Sequence, residues 1–170
     1  MKNFKKINPR LLPENPIKLF AEDWALITSG DKESYNTMTA SWGGVGELWN
    51  KDVCFVFIRP QRYTYEFVEK HELFTVSFYP KEYHKALAFC GSHSGRDCDK
   101  AEETGLTPLF VDGTAAFEEA KIIFVCKKIA GQMMNPDGFL DKAIEKNYAA
   151  GDHHKIYVGE IVSCYVKADK

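Results

Sequence analysis

At 170 residues the chain is the size of one compact domain, and 45% hydrophobic against 27% charged residues excludes wholesale disorder. Twenty-two basic against 24 acidic residues give a net charge of -2, so counterion release offers little drive toward nucleic acid. No stretch approaches the roughly 20 apolar residues that span a bilayer, and the charged start Met1-Lys2-Asn3-Phe4-Lys5-Lys6 has no apolar run behind it and does not read as a secretory signal.

Gly, Pro and Asp cut the chain into short segments, many of them β-like. Trp24 to Ser29 predicts a strand, Gly30-Asp31-Lys32-Glu33 a polar turn, and Tyr35 to Ser41 a second strand pairing back. Val53 to Ile58 predicts a third. Pro60 then introduces a helix over Tyr63 to His71, with Tyr63 and Phe67 on one face. Leu73 to Phe78 reads as a strand in which Phe74, Val76 and Phe78 alternate. A helix over Lys81 to Cys90 follows Pro80, and another runs from about Asp97 to Thr104, stopped by Gly105. Ala115 to Phe117 and Ile122 to Ile129 predict strands, Phe139 to Tyr148 a helix, and Ile156 to Val166 the last strand. About seven strands with a few small helices predict a mainly β fold, a β-barrel wrapped by peripheral helices. Strand–helix alternation with a GxGxxG is missing, which argues against a doubly wound dinucleotide fold. The odd set Cys54, Cys90, Cys98, Cys126 and Cys164 has no CxxC, and three of the five sit in apolar strand-like runs. It reads as free buried thiols of a reducing cytoplasm, without a catalytic role.

Four segments stand out chemically. Tyr35 to Gly44 puts Asn36, Thr37, Thr39 and Ser41 on both faces of a strand and ends in two glycines. It suits a flat heterocycle with a polar edge, or is an ordinary exposed strand. In Arg59-Pro60-Gln61-Arg62-Tyr63-Thr64 an arginine at a strand end meets a helix start, a place where a phosphate can bind. Cys90 to Lys100 is a small basic loop with serines and glycines, composed like an anion nest or a plain solvated turn. Cys90, His93 and Cys98 have no second compact pair to complete a zinc site. Finally Asp152-His153-His154 precedes the last strand, offering either acid–base groups or surface residues.

Taken together, these segments resemble the flavin reductase-like family with an FMN-binding split barrel, its flavoredoxin-type branch in particular. The resemblance rests on Asn36 to Trp42, Arg59 to Thr64, Ser92 to Lys100, and His154 with Gly159-Glu160, in that order, and covers about Leu19 to Val166 of a single domain. It implies that Asn36, Thr37, Met38, Thr39, Ala40, Ser41 and Trp42 face the isoalloxazine ring, with Thr37 and Thr39 near its polar edge. It implies that Arg59 and Thr64 hold the FMN phosphate with Ser92, Ser94, Arg96 and Lys100. His154 takes the place of the family's histidine, yet Gly151-Asp152-His153-His154 is one residue longer than the usual Gly-Asp-His, which leaves open whether His153 or His154 faces the flavin. The expected protein is a cytoplasmic homodimer with FMN near the subunit interface, taking electrons from NADH or NADPH and reducing flavin or passing them to a redox-protein acceptor. The rivals are a flavoredoxin-like carrier without its own nicotinamide site and a non-enzymatic flavin-binding module.

Overall fold

The computed structural model describes residues 3–168. Within them the chain runs β1 (Phe4–Ile7), α1 (Pro16–Lys18) continuing into a wide π-type turn (Leu19–Asp23), β2 (Ala25–Gly30), β3 (Tyr35–Ala40), β4 (Gly43–Leu48), β5 (Lys51–Ile58), α2 (Tyr63–Lys70), β6 (Leu73–Phe78), α3 (His84–Ser92), α4 (Lys100–Thr104), β7 (Pro108–Val111), β8 (Thr114–Phe117), β9 (Ile122–Met133) and β10 (Lys155–Lys167). Seven strands form one antiparallel path, β3-β2-β6-β9-β10-β5-β4. β1 joins the side of β10, and β7–β8 is a separate hairpin. The fold is mainly β with peripheral helices, as the sequence predicts.

Period-two alternation sorts neighbouring side chains into two layers. Ile27, Val56, Phe74, Val76, Phe78 and Phe124 fill the interior of the curved sheet. Their neighbours Leu26, Tyr79, Ile123 and Val125 join a second layer with Leu87 of α3 and Phe117 of β8. β10 pairs with β9 along most of its length, while β5 pairs with it over Lys155–Glu160 and β1 over Cys164–Lys167, and register shifts against β9 at Val158/Gly159 and Ile161/Ser163 let it bend. Gly159 is required at the first bend: a Cβ there would stand 2.6 Å from the Phe74 ring and 2.8 Å from Cys126 Cβ.

The structure differs from the sequence reading in several elements. Trp24 lies outside β2 at φ 61°, stacked on His84 with centroids 5.0 Å apart. β4 is a strand although Gly-Gly-Val-Gly lacks strand-forming side chains. It is held by pairing with β5 through a tight turn in which Trp49 and Asn50 both take positive φ. β1 and β7 are short additions that pairing, rather than pattern, defines. Phe139 to Tyr148 is no α-helix but tight turns at Pro136–Gly138 and Lys142–Tyr148. α4 starts only at Lys100, because Asp99 caps it by accepting from the amides of Ala101 and Glu102. Gly105, at φ 68°, ends it as expected. The five cysteines are free; all are buried except half-buried Cys98.

Candidate functional site

Two adjoining cavities open at one end of the barrel, where β3 and β5 finish and α2 begins. The first, about 230 Å³, lies between the end of β3 with Ser41 and Trp42, Phe57 and Arg59 at the end of β5, Gly91 of α3, and His154 just before β10. The second, about 180 Å³, lies between the start of α2 (Gln61 to Thr64), Ser92 to Ser94, and Lys100. Met38 and Arg62 line both, so the two meet.

The second cavity is a cluster of donors. No side chain caps the N-terminus of α2, so its first amides are open to an anion. Thr64 Oγ1 accepts from the Asn36 side-chain amide at 2.7 Å, which leaves the Thr64 proton to donate outward. Lys100 is buried at 6% exposure. Its Nζ donates to the carbonyl oxygens of Thr37 and Cys90, both at 2.8 Å, which leaves one of three protons unused. Burial pushes the Lys100 ammonium down to about 8, and nearby Arg62 adds to this. Ser94 Oγ accepts from the Arg96 amide, which shapes the 92–98 loop. That loop lies directly on Asn36: a Cβ on Gly95 would stand 1.9 Å from Asn36 Oδ1.

The first cavity has a polar wall and an aromatic lip. Thr39 Oγ1 donates to the Leu87 carbonyl of α3 and lines the cavity. Trp42, 46% exposed, stands at its mouth with its ring 5.2 Å from that of His154. His154 is the histidine that faces the cavity, and it is buried. Its Nδ1 shares a 2.9 Å hydrogen bond with the Tyr148 hydroxyl. Burial, with Arg59 nearby, pushes the imidazole down to about 4, so it is neutral at pH 7. His153 points away, stacked on Tyr148 at 4.6 Å with Nε2 3.5 Å from Glu145. Gly151, at φ 69°, makes the turn that leads into Asp152, His153 and His154.

Four expected ligands are placed differently: Arg59 borders only the first cavity, while Asn36, Thr37 and Arg96 line a further cavity of about 450 Å³ that shares Lys100 with the donor cavity. Thr37 does not reach either cavity. Its hydroxyl is buried against β2, 2.8 Å from Thr28 Oγ1 and 3.2 Å from the Ile27 carbonyl. Arg59 is committed to an ion pair with Asp152, donates to the Asn147 carbonyl at 2.9 Å and lies over the Tyr148 ring. It borders the first cavity and fastens the 134–154 segment there, instead of entering the donor cavity. Its bond, with one from Gln61, holds the Asp152 carboxyl below the usual range. Arg96 pairs with Glu66 and stacks over the Tyr63 ring at 4.6 Å, outside both cavities. Asn36 acts through Thr64 and lines neither.

The cation that sequence reasoning passed over is Arg62. It lines both cavities and has no ion-pair or side-chain hydrogen-bond partner among the described residues. Burial, then Arg59, lowers its pKa. The signal was in the sequence, because Arg62 stands immediately before α2, whereas Arg59 ends β5. Phe57 and Tyr148 had no such signal, and the topology alone brings them here; Gly91 and His93 come with the Cys90 to Lys100 loop that the sequence does single out. Among the described residues no group of three His, Cys, Asp or Glu side chains is placed to hold a metal ion, and no helix is long and apolar enough to cross a membrane.

The family model described as flavin reductase like domain matches residues 17–170. Among solved structures, an FMN-binding protein from Thermus thermophilus is 22% identical with a TM-score of 0.67, over 94% of this chain and 76% of that one. An FMN-binding domain of a flavin reductase-like enzyme from Shewanella baltica is 16% identical with a TM-score of 0.70, over 97% and 78%. The flavoredoxin from Methanosarcina acetivorans is 18% identical with a TM-score of 0.69, over 96% and 75%. At these identities the likeness shows the shared split-barrel fold. No curated protein matches the chain.

Proposed function

The chain belongs to the flavin reductase-like domain family, and on that premise we propose that it binds FMN across the two joined cavities and acts as an oxidoreductase supplied by NADH or NADPH. The observation that carries this reading is the pairing of a ring-sized cavity with a donor-rich cavity through Met38 and Arg62. A phosphorylated ribityl chain with a flat heterocycle needs that pairing.

The residues fit the cofactor. Arg62, the open α2 amides, the Thr64 hydroxyl and the spare Lys100 proton supply the charge-assisted donors that a phosphate dianion requires. Ser92 and Ser94 stand beside them. Met38, Thr39, Ala40 and Phe57 offer the ring an apolar bed with a polar edge. When bound, FMN supplies hydride and electron transfer. The chain's own part is to bind, orient and exclude water. Trp42 covers the mouth, and the Arg59–Asp152 pair keeps Tyr148 and His154 in place along the wall. His154 serves there as a neutral, oriented imidazole. We read the chain as a homodimer, since Trp42 at the cavity mouth and Trp49 at a hairpin tip are large apolar surfaces left open on one copy.

A flavoredoxin-like carrier is the second reading. It is favoured by how closely the 134–154 segment, through Tyr148 and His154, borders the ring cavity. Desalted protein is titrated with FMN by fluorescence quenching, then the loaded protein is mixed anaerobically with NADH or NADPH. The enzyme reading expects saturable binding and bleaching of the flavin band. Bleaching by dithionite alone would select the carrier, and no saturable binding would overturn both. Sedimentation as a monomer when fully loaded would refute the homodimer.

A further inference from the structure

A larger cavity lies far from this site, under the N-terminal arm. It measures about 390 Å³. Leu12 and Leu19 of the arm, Val45 of β4, Phe124 of β9 and Ile161 of β10 make its apolar walls. Asp52 at the start of β5 lines it, while Phe57 on the same strand lines the flavin cavity. Those two residues stand about 17 Å apart along the strand, and the two cavities share no lining residue, so occupation of one leaves the other free.

Its charges are unbalanced. Glu14, Glu47 and Asp52 line it, against Arg10 as the lining cation. Arg10 is already shared between Asp52 at 2.8 Å and Glu47 at 3.3 Å, and these bonds pin the arm to the β4–β5 hairpin. Glu14 is left over. Its Oε2 is buried with no hydrogen-bond partner, and its charge adds to the burial that pushes the Cys164 thiol up to about 12. That oxygen is closed off from the chamber, but Glu14 is half-buried and lines it, and no hydrogen bond or ion pair among the described residues uses the carboxylate, which favours a ligand that brings a donor to it. An apolar chamber with a spare carboxylate matches a molecule that is apolar along its body and cationic at one end.

We propose that this cavity is a second binding site, for a small primary amine with an apolar alkyl or arylalkyl body, whose ammonium pairs with Glu14. An alkanoate is excluded by the three carboxylates, and an alcohol offers one neutral donor where an ammonium offers three charged ones. The proposal stands apart from the flavin reading, because it uses none of the same residues.

The test is calorimetric titration of the full chain with n-hexylammonium, hexanoate and 1-hexanol, with and without saturating FMN. The expected result is one saturable hexylammonium site per chain, hexanol at least tenfold weaker, hexanoate not bound, and no change on adding FMN. Glu14→Gln should weaken hexylammonium at least tenfold while leaving hexanol unchanged, and Val45→Phe should fill the chamber and remove both. The wild-type comparison of three probes needs no variant, and circular dichroism melts report whether each variant folds. No saturable amine binding, equal binding of amine and alcohol, or displacement of the amine by FMN would overturn the proposal. Dissociation of a dimer by the amine, seen by sedimentation, would assign the chamber to a second copy of the chain and overturn it equally.

Discussion

Three arginines surround the candidate flavin site, and the structure ranks them. Arg62 has no partner among the described residues and lines the donor cavity. Arg59 is held by Asp152, and Arg96 by Glu66. A charge-assisted hydrogen bond is worth about 1.5–3 kcal/mol. Arg62→Ala should therefore weaken FMN by roughly tenfold to a hundredfold, at about 1.4 kcal/mol per tenfold. Riboflavin lacks the phosphate, and its affinity should barely change. Arg96→Ala breaks an exposed ion pair of a kind worth about 0–1 kcal/mol, so both ligands should lose about fivefold at most. Arg59→Ala releases the 134–154 segment from the ring cavity, so FMN and riboflavin should weaken together. The assay is a pair of fluorescence titrations, FMN and riboflavin, on the wild type and the three variants, each first shown to melt cooperatively. Equal losses of FMN and riboflavin in Arg62→Ala, or an FMN-specific loss in Arg96→Ala as large as that in Arg62→Ala, would refute the placement of the phosphate.

Much of this fold was legible because its central strands alternate. Phe74, Val76 and Phe78 mark one face of β6, and the structure buries all three inside the barrel. β4 was illegible for the opposite reason: its glycines carry no pattern, and only the ladder with β5 makes it a strand. The candidate site's cavities were legible by segment, but which side chains line them was not. Thr64, Ser92, Ser94 and Lys100 do converge on one cavity, yet charge alone does not say which of three arginines is spent on a carboxylate. Asp152 and Glu66 decide that, and they lie 93 and 30 residues from the arginines they bind. The same holds for Thr37: one strand position carries a hydroxyl toward β2 and the next lines the cavity, a choice of register rather than of residue type.

The remaining predictions use the buried groups around the cavities. His154 has its pKa lowered from 6.5 to about 4, so between those values the unfolded chain takes up a proton that the native chain refuses. Stability should therefore fall as pH drops from 6.5 toward 4, and His154→Gln should flatten that slope in urea titrations across the window. Lys100 carries an ammonium pushed down to about 8, so FMN affinity should decline as pH rises through 8, and Lys100→Met should lower affinity and remove the decline between pH 7 and 9.5. Gly95→Ala tests the seat of the basic loop. Its Cβ would stand 1.9 Å from Asn36 Oδ1, and Asn36 cannot give way freely because it is buried and bonded to Thr64 at 2.7 Å. Overpacking of this kind costs about 1–3 kcal/mol, which for a chain of this size lowers the melting temperature by roughly 2–4 °C per kcal/mol. Because the displaced amide also orients the Thr64 hydroxyl, FMN should weaken more than riboflavin. Gly44→Ala, where a Cβ meets nothing within 4 Å, is the control and should change neither ligand. A Gly95→Ala protein with wild-type melting and wild-type FMN affinity would mean that the loop is not seated on Asn36, and that the donor cavity takes its shape from something else.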